Sequence, residues 1–492
     1  MYKNLITKNN VLIITFFVFI YTYFSKISYQ LGHIDEINYL SDSLLLFEGM
    51  LPSSKHAPSG ISTWIGTLIV FFDLVFRSFF IETVNSILDF FKVIDKVIYF
   101  HYSNLIYIKL SLFLLNSILL VYLFTLDNKK IFFAVFLFVF TSPLYIETIL
   151  TGKPFLTAAI FFSISLFLKK KNYLSSLIFL ALAISEKWEY ILLINFICYD
   201  ENKKTKIKDY LIVLLIFSAI SPWFIISLLQ NIKIQLSYIL WNSATFDNSV
   251  FSFFTIISLI TYMVIQFFLN FVQIKKVRFF LFVILILNFI YLVFVAEYYI
   301  RWFIPIFIII IYEISENNLI KNNLPIFILA LISILFQIKF NLNNFPSNSD
   351  WTEFEEKSNK TIFIVGDSLL NEKNNYKKYF NIRDQKLNKN NIKNIGFFKN
   401  YEAPIAFSES SLIEKSYLRR FEYLQKYSLG GKTKYLYHSH GVNMPIDFIC
   451  NLNPDDKKNI IVIRKVPSNS LYQNFFSIQK DKFSQYKFET CK

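Results

Sequence analysis

The chain has 492 residues, of which 54% are hydrophobic and only 17% are charged. Soluble domains carry about 25% charged residues, so this composition excludes a large globular enzyme and indicates a membrane protein with a smaller soluble part. The net charge of +15 would suit nucleic acid, but much of it lies in short runs between apolar segments, as the positive-inside rule expects. We therefore expect the lipid bilayer as a partner and no nucleic acid.

Apolar segments recur along the first 340 residues and predict an all-α polytopic fold with about eleven transmembrane helices. Lys3 and Lys8 place the amino terminus inside, and every cluster of basic residues between segments then falls on that side. The segment 61–81 carries Asp73 and Arg77, so it spans, re-enters, or lies along the outer face. The predicted segments are 11–31, 61–81, 104–126, 131–149, 155–168, 209–229, 251–273, 279–296, 302–314 and 324–340.

Residues 173–199 stand between two lysine runs and are too short for two crossings of about 20 residues each. They predict a hairpin of short helices whose apex, Ser185–Glu189, lies at or below the outer face. Lys187 in that apex is a candidate binding residue, because a lysine at such depth needs an anionic partner. Glu186 and Glu189 flank it, so a structural ion pair is the alternative.

The composition changes near residue 341, where long apolar runs stop and Asn, Lys and Ser become frequent. We therefore divide the chain into a transmembrane domain, 1–340, and a small extracytoplasmic α/β domain, 341–492. Strands are predicted at 360–367, 434–437 and 459–464, and a helix at 411–427.

The cysteines and the tail histidines predict no metal site. Cys450 and Cys491 could form one bridge in an oxidising compartment, whereas Cys198 ends an apolar segment. His438 and His440 share one face of a strand, but no third ligand is evident.

Two carboxylates, Asp35 and Glu36, follow the first apolar segment and lie at the edge of the membrane. Carboxylates are costly near a bilayer, so this pair is a candidate functional site, with a solvated loop as the alternative. An amphipathic helix over residues 38–50 comes next, followed by His56-Ala57-Pro58 and a new apolar run.

This order of acidic pair, juxtamembrane helix and proline segment resembles the first external loop of the GT-C glycosyltransferases. That superfamily uses polyprenyl-phosphate sugars and includes the protein O-mannosyltransferases and the aminoarabinose transferases. The stretch from Glu297 to Pro305, with Arg301 at its centre, is similar to the Arg-Tyr-x-x-Pro signature of a late span in these enzymes. The resemblance covers roughly residues 11–315, and it does not extend to the tail.

The resemblance implies that Asp35 is the catalytic base, with Glu36 orienting the acceptor or helping to hold a divalent cation. It implies that Arg301 binds the donor phosphate, which suits the bidentate geometry of a guanidinium. The alternative for Arg301 is an interfacial anchor that pairs with Glu297. Lys187 resembles a lysine that follows a short span in related transferases.

The second external loop departs from the pattern, because Lys153 stands where the aminoarabinose transferases have an aspartate before proline. Glu147 could supply the missing acid, or the site has only one acidic loop. His56 is a further candidate for contact with a phosphate or a sugar hydroxyl, and helix capping is its alternative.

These observations predict an integral-membrane hexosyl- or pentosyltransferase of the cell envelope, in the inner or plasma membrane. Its partners would be a polyprenyl-phosphate-linked sugar donor and an extracytoplasmic acceptor, which is a glycolipid, a polysaccharide or a protein. Transfer would invert the anomeric configuration. The alternatives are a transporter or flippase for lipid-linked sugars and a membrane assembly protein without catalysis. A transporter predicts inverted repeats with broken helices in both halves, whereas a broken pair is predicted only at 173–199.

Overall fold

A computed structural model describes most of the apolar helices and four strands of the tail. Among the predicted apolar segments, 251–273 and 279–296 lie outside the described residues. The described residues are 8–26, 42–52, 60–80, 102–141, 154–198, 207–226, 300–316, 324–342, 353–354, 357–358, 361–365, 435–437, 458–465 and 486–491.

The helices begin within a few residues of the predicted apolar segments, because charged or polar residues precede most of the apolar runs. The predicted segment 209–229 is interrupted, since its helix ends at Ile220, before Pro222, and residues 142–149 of the segment 131–149 lie outside the described residues. A further short helix covers residues 42–47, within the predicted amphipathic helix. The labelled helices are α1 (Lys8–Lys26), α2 (Gly60–Phe80), α3 (Tyr102–Leu126), α4 (Ile131–Thr141), α5 (Phe155–Leu168), α6 (Tyr173–Glu186), α7 (Ile194–Cys198), α8 (Ile207–Ile220), α9 (Ile300–Glu316) and α10 (Leu324–Leu342).

Helix α5 lies at the centre of the helical part, since all fourteen of its residues are buried. It packs against α3, α6 and α9. Aromatic rings fill the space between these helices: Phe167 of α5 meets Phe132 edge-on with ring centroids 5.1 Å apart, and it meets Tyr312 of α9 in the same way at 5.2 Å. Such edge-to-face pairs stabilise a core beyond the area they bury.

Within the described residues, the stretch Tyr107–Leu126 of α3 is long and apolar enough to cross a membrane. The other described helices include shorter apolar stretches of 10 to 17 residues. These lengths fit the coarse prediction of an apolar helical protein.

One end of the bundle is held together by lysines and is called the lysine end; it comprises residues 127–130, 169–172 and 315–316. The Nζ of Lys129 donates to the carbonyls of Ser315, at 2.8 Å, and Glu316, at 3.0 Å. The Nζ of Lys170 lies 2.7 Å from Oε2 of Glu316. Cations at a helix C-terminus meet the negative end of the helix dipole and carbonyls that lack intrahelical donors.

Asp127 caps the helix that begins at the lysine end. Its carboxylate accepts hydrogen bonds from the backbone N–H of Lys129, at 3.1 Å, and of Phe133 in α4, at 2.9 Å. Burial raises the pKa of this carboxyl above its ordinary value, although the backbone donors act in the opposite direction. The sequence predicts that the lysine runs after α3 and α5 share a side with the residues that follow α9, and these contacts place the three helix ends together.

The predicted hairpin starts and finishes at the lysine end. Helix α6 rises for 14 residues, about 21 Å at 1.5 Å per residue. A 3-10 helix, Trp188–Leu193, and α7 return to Cys198, which lies beside Tyr173 at the start of α6. Eleven residues cover the return because a 3-10 helix rises about 2.0 Å per residue. Tyr173 also donates to Asp209 Oδ2 at 2.9 Å, so α8 begins at this end too.

The tail contains a four-stranded sheet in the order β2-β1-β3-β4. Strands β1 (Thr361–Val365), β2 (Tyr435–Tyr437) and β3 (Ile460–Lys465) lie where the sequence predicts strands. They pair in parallel, with β1 in the middle. Strand β4 (Tyr486–Thr490) pairs antiparallel with β3 and was not predicted, because its sequence YKFET lacks an apolar run. The predicted helix 411–427 lies outside the described residues.

The bonding states of the two described cysteines, Cys198 and Cys491, agree with what the sequence allows. Cys491 is disulfide-bonded, whereas Cys198 is a buried free thiol. Cys450, with which the sequence allows Cys491 to pair, lies outside the described residues.

Candidate functional site

Two of the predicted site residues fall in the described part of the chain. Lys187 follows α6, and Arg301 is the second residue of α9, with its backbone described. The other predicted site residues lie outside the described residues; they are Asp35, Glu36, His56, Glu147 and Lys153.

Glu186 ends α6 and is completely buried. Its Oε1 accepts a hydrogen bond from the backbone N–H of Ser62 at 2.8 Å, and its Oε2 accepts one from the Ser62 hydroxyl at 2.6 Å. Ser62 lies in the first turn of α2, where the backbone N–H groups lack intrahelical acceptors. A carboxylate also meets the positive end of the helix dipole there. Glu186 therefore caps α2 from a different helix, a role that the sequence does not reveal.

Lys187 stops α6, because its backbone is extended, with φ −143° and ψ 110°. Its side chain is buried, and its Nζ lies 4.1 Å from the ring centroid of Phe155. An ammonium over an aromatic face is a favourable cation–π arrangement. Phe155 is the first residue of α5 and comes two residues after Lys153. Lys187, in the apex of the hairpin, thus contacts the first residue of the helix that follows the predicted second external loop.

Helix α2 crosses the end of the bundle opposite the lysine end. A Cβ placed on Gly60 would lie 2.6 Å from Cγ2 of Ile220 and 3.1 Å from Cβ of Ser185. Trp64 Nε1 donates to the Ile220 carbonyl at 2.9 Å. Ile220 and Ser185 lie at the C-terminal ends of α8 and α6, which begin at the lysine end. The first turn of α2 therefore packs closely on both helix ends.

The second turn of α2 reaches the beginning of α3. A Cβ on Gly66 would lie 3.5 Å from Cδ1 of Ile108 and 2.9 Å from Cβ of Ser43. Thr67 Oγ1 donates to the Ser43 carbonyl at 3.1 Å. Since α3 runs toward the lysine end, Ile108 marks its far end. The charge pattern leaves open whether the segment 61–81 spans the membrane or lies on its outer face. The first two turns of α2, which begin this segment, lie across the end of the bundle opposite the lysine end.

Four buried charged side chains lie in or beside this arrangement: Asp42 is 1% exposed, Lys109 3%, Glu186 0% and Lys187 6%. Among the described residues, the one other buried charge is Asp127 at the lysine end. We call these four residues together with Ser62 and Thr63 the polar end. Sequence reasoning missed Asp42 and Lys109, although Lys109 is the single charge in the apolar sequence of α3.

The beginning of helix α9 lies on the side of the polar end. Helix α9 runs 15 residues from Arg301 to Glu316, about 22 Å by helical rise, and it packs on α5 and on the 3-10 helix after Lys187. Phe155 of α5 likewise precedes Lys170 of the lysine end by 15 residues. The beginning of α9 therefore lies about as far from the lysine end as Phe155 does.

Helix α1 starts near the lysine end, since Leu12 packs with Ile131. Farther along, the ring of Tyr23 lies 4.7 Å from that of Phe113 in α3. Helix α1 therefore runs away from the lysine end. The chain then continues to the segment that holds Asp35 and Glu36.

No group of three or more His, Cys, Asp or Glu side chains suited to a metal ion occurs within the described ranges. The polar end offers two buried ammonium groups, two buried carboxylates and the buried hydroxyls of Ser62 and Thr63. The chain matches no protein-family model, no curated protein and no solved structure, so its function is inferred from these residues.

Proposed function

We propose that the chain is an integral-membrane glycosyltransferase that moves a sugar from a polyprenyl-phosphate donor to an acceptor hydroxyl outside the cytosol. One observation carries this proposal: Lys187 meets the beginning of α5, and its neighbour Glu186 holds the beginning of α2. These helices follow the loops that contain Lys153 and His56. The helices that follow these two loops thus begin at the same end of the bundle, where Glu186 and Lys187 contact their first turns.

The depth of this end supports a lipid-linked donor. The polar end lies about 21 Å from the lysine end by the rise of α6, within the ~30 Å hydrocarbon thickness of a bilayer. If the lysine end is cytosolic, as the positive-inside rule expects, the polar end lies toward the outer surface. A donor anchored in the membrane presents its phosphate near that level.

The proposed reaction is a single displacement at the anomeric carbon. Asp35 takes the proton from the acceptor hydroxyl, the acceptor oxygen forms the new bond, and the bond from the anomeric carbon to the phosphate oxygen breaks. Attack from the face opposite the leaving group inverts the configuration. Negative charge collects on the departing polyprenyl phosphate, and Arg301 and Lys187 supply the positive charge that stabilises it.

The test is sugar transfer by membranes that contain the full chain. Asp35→Asn and Arg301→Ala should each lower turnover by at least about 100-fold, the usual scale for losing a general base or a charge-stabilising group. Glu353→Gln, which alters an exposed carboxylate of the tail, should transfer at the normal rate. Full transfer by Asp35→Asn would contradict the assignment of the base. Flux of a lipid-linked sugar that persists without transfer would favour a transporter.

A further inference from the structure

The order of the strands in the tail sheet changes direction at β1. Strands β1, β2 and β3 are parallel, and β1 lies between the other two. The chain therefore leaves β1 for one side of the sheet, forms β2 there, and then crosses back past β1 to form β3. In open parallel sheets, ligands bind outside the carboxyl ends of the strands at such a change of direction. The expected position in this sheet is between the carboxyl ends of β1 and β3.

The basic residues of the four strands are concentrated at that end of the sheet. Arg464 and Lys465 are the last two residues of β3, and Lys487 is the second residue of β4. Because β4 runs antiparallel to β3, it begins at the end where β3 finishes. Farther from this end the paired positions are apolar, as in the pair Ile364 and Ile463. We call Arg464, Lys465 and Lys487 the basic edge.

The register places two of these cations directly opposite each other. Arg464 pairs with Lys487 across β3 and β4, and it pairs with Val365, the last residue of β1, on its other side. Paired residues share one face of a sheet, and their Cα atoms lie about 4.5–5.5 Å apart across an antiparallel pair. Like charges that are directly opposite destabilise a sheet, and an anion beside them offsets that repulsion. The pairing therefore favours a bound anion next to the end of β1.

One carboxylate lies on the same face, but it does not balance the basic edge. Glu489 pairs with Val462, two residues farther from the carboxyl end of β3 than Arg464. Among the described strand residues, three cations thus stand against a single carboxylate. Negative charge from a ligand would reduce this excess.

Protection of a sheet edge does not account for both paired cations. A lysine on an edge strand discourages pairing with another chain, which explains Lys487, because β4 is the last strand of the sheet. Arg464 belongs to β3, which is paired on both sides, with β1 and with β4. Its charge therefore needs another explanation, and its position beside the end of β1 supplies one.

We propose that the carboxyl ends of β1 and β3 form a binding site for the phosphate group of a small phosphorylated ligand. Arg464 and Lys487 supply the positive charge, and a guanidinium suits two parallel hydrogen bonds to phosphate oxygens. Asp367 and His438 follow β1 and β2 in the sequence but lie outside the described residues, so they are assigned no part in the site. The site goes beyond the proposed sugar transfer, since no step of that reaction uses it.

The experiment measures binding of glucose 1-phosphate, glucuronate and glucose to the purified full-length chain in detergent. A carboxylate shares part of the chemistry of a phosphate, so glucuronate separates the two anions. Wild type should bind glucose 1-phosphate more tightly than either of the other probes, and less tightly as salt is added.

Substitutions at the basic edge should weaken the binding of glucose 1-phosphate. Arg464→Gln should weaken it by about 10- to 100-fold, the equivalent of one charged hydrogen bond. Lys487→Met should weaken it by about 10-fold, at the lower end of that range. Arg464→Lys keeps the charge but loses the paired donors, so its affinity should lie between those of wild type and Arg464→Gln. Glucose binding should change little in all three variants.

The matched control is Lys458→Met, which removes an exposed lysine just before β3, at the opposite end of that strand. This variant should bind glucose 1-phosphate like wild type. An equal loss of affinity in Lys458→Met and Lys487→Met would overturn the site, because the ligand would then respond to overall charge alone. Normal binding by Arg464→Gln would also overturn it, as would equal binding of glucose and glucose 1-phosphate by wild type. Tighter binding of glucuronate would overturn the phosphate assignment. If Arg464→Gln does not fold, normal glucose 1-phosphate binding by Lys487→Met is the overturning result.

Discussion

The two ends of the bundle use charged residues in different ways. At the lysine end, Lys129 and Lys170 reach helix C-termini and remain at least partly exposed. At the polar end, Lys109 and Lys187 are buried, and Glu186 has no exposure to solvent. Lysines that neutralise helix ends near water stabilise the fold at little cost, whereas buried lysines must be compensated. The comparison therefore separates structural charges from candidate functional ones.

This difference predicts which substitutions alter stability alone and which alter donor binding. Changes at the lysine end should lower stability and leave unchanged the binding of farnesyl phosphate, a short analogue of the lipid part of the proposed donor. Changes at the polar end should affect binding even where the fold survives. The four predictions that follow test this division, and their expected effects decrease from one to the next.

The largest effect on stability is expected from Glu186→Ala. The substitution removes the cap of α2, leaves the Ser62 hydroxyl unsatisfied and takes away a buried negative charge beside Lys187. Breaking such a buried arrangement typically costs about 3–5 kcal/mol. Glu186→Gln keeps the shape and one acceptor, so it should cost less. We expect a large drop in the thermal midpoint of the purified chain for Ala and a smaller one for Gln.

A matched control for Glu186 is Glu353→Ala, which removes an exposed carboxylate paired with Lys357. Exposed pairs contribute about 0–1 kcal/mol, so this variant should melt like wild type. A Glu186→Ala variant with the wild-type midpoint would show that α2 does not depend on its cap.

Gly60→Ala should give the next largest effect. Its Cβ would meet Ile220 and Ser185 at distances that force α2 away from α6 and α8, and overpacking of this kind costs about 1–3 kcal/mol. Because the first turn of α2 packs against Glu186, next to the proposed donor-binding residue Lys187, donor binding should weaken as well as stability. Gly49→Ala is the comparison: Gly49 has φ +72° but open space around it, so that variant should lose stability through backbone strain alone. Equal donor binding by Gly60→Ala and wild type would contradict the placement of α2 over the site.

Lys129→Met should have a moderate effect that is confined to stability. It removes two hydrogen bonds to the carbonyls at the end of α9, together worth about 1–2 kcal/mol. Denaturation of the purified chain should detect this loss, while the affinity for farnesyl phosphate should equal that of wild type. Weaker donor binding by this variant would mean that the two ends are coupled and that the division into structural and functional ends is wrong.

The sequence predicts the positions of the described helices well because each apolar run is bounded by charges. The run 155–168, between Pro154 and Lys169, has the same limits as α5. The break at Lys187 is also predictable, since lysine runs on both sides leave too few residues for two crossings. Strands β1 and β3 follow from short β-branched runs and β2 from its aromatic residues, whereas the sequence of β4 lacks an apolar run.

The site is less predictable than the helices, because its contacts join residues that are far apart in sequence. Nothing near Glu186 in the chain indicates that it caps a helix beginning 126 residues earlier, at Gly60. The sequence instead suggests that Glu186 pairs with Lys187. Lys109 has a signal in the sequence, as the single charge of an apolar helix. Its place in the polar end becomes visible only when α2 is found across the end of α3.

The smallest effect is expected at the ion pair between Lys170 and Glu316. Its distance of 2.7 Å is short, but the side chains are 72% and 32% exposed, so water and salt weaken the attraction. A double-mutant cycle with Lys170→Met and Glu316→Gln should give a coupling energy of at most about 0.5 kcal/mol, decreasing as salt is added. Glu316 also offers its backbone carbonyl to Lys129, a contact that neither substitution removes. A coupling energy above about 2 kcal/mol would place this pair with the buried charges. The contrast between the two ends would then depend on depth in the membrane and not on exposure.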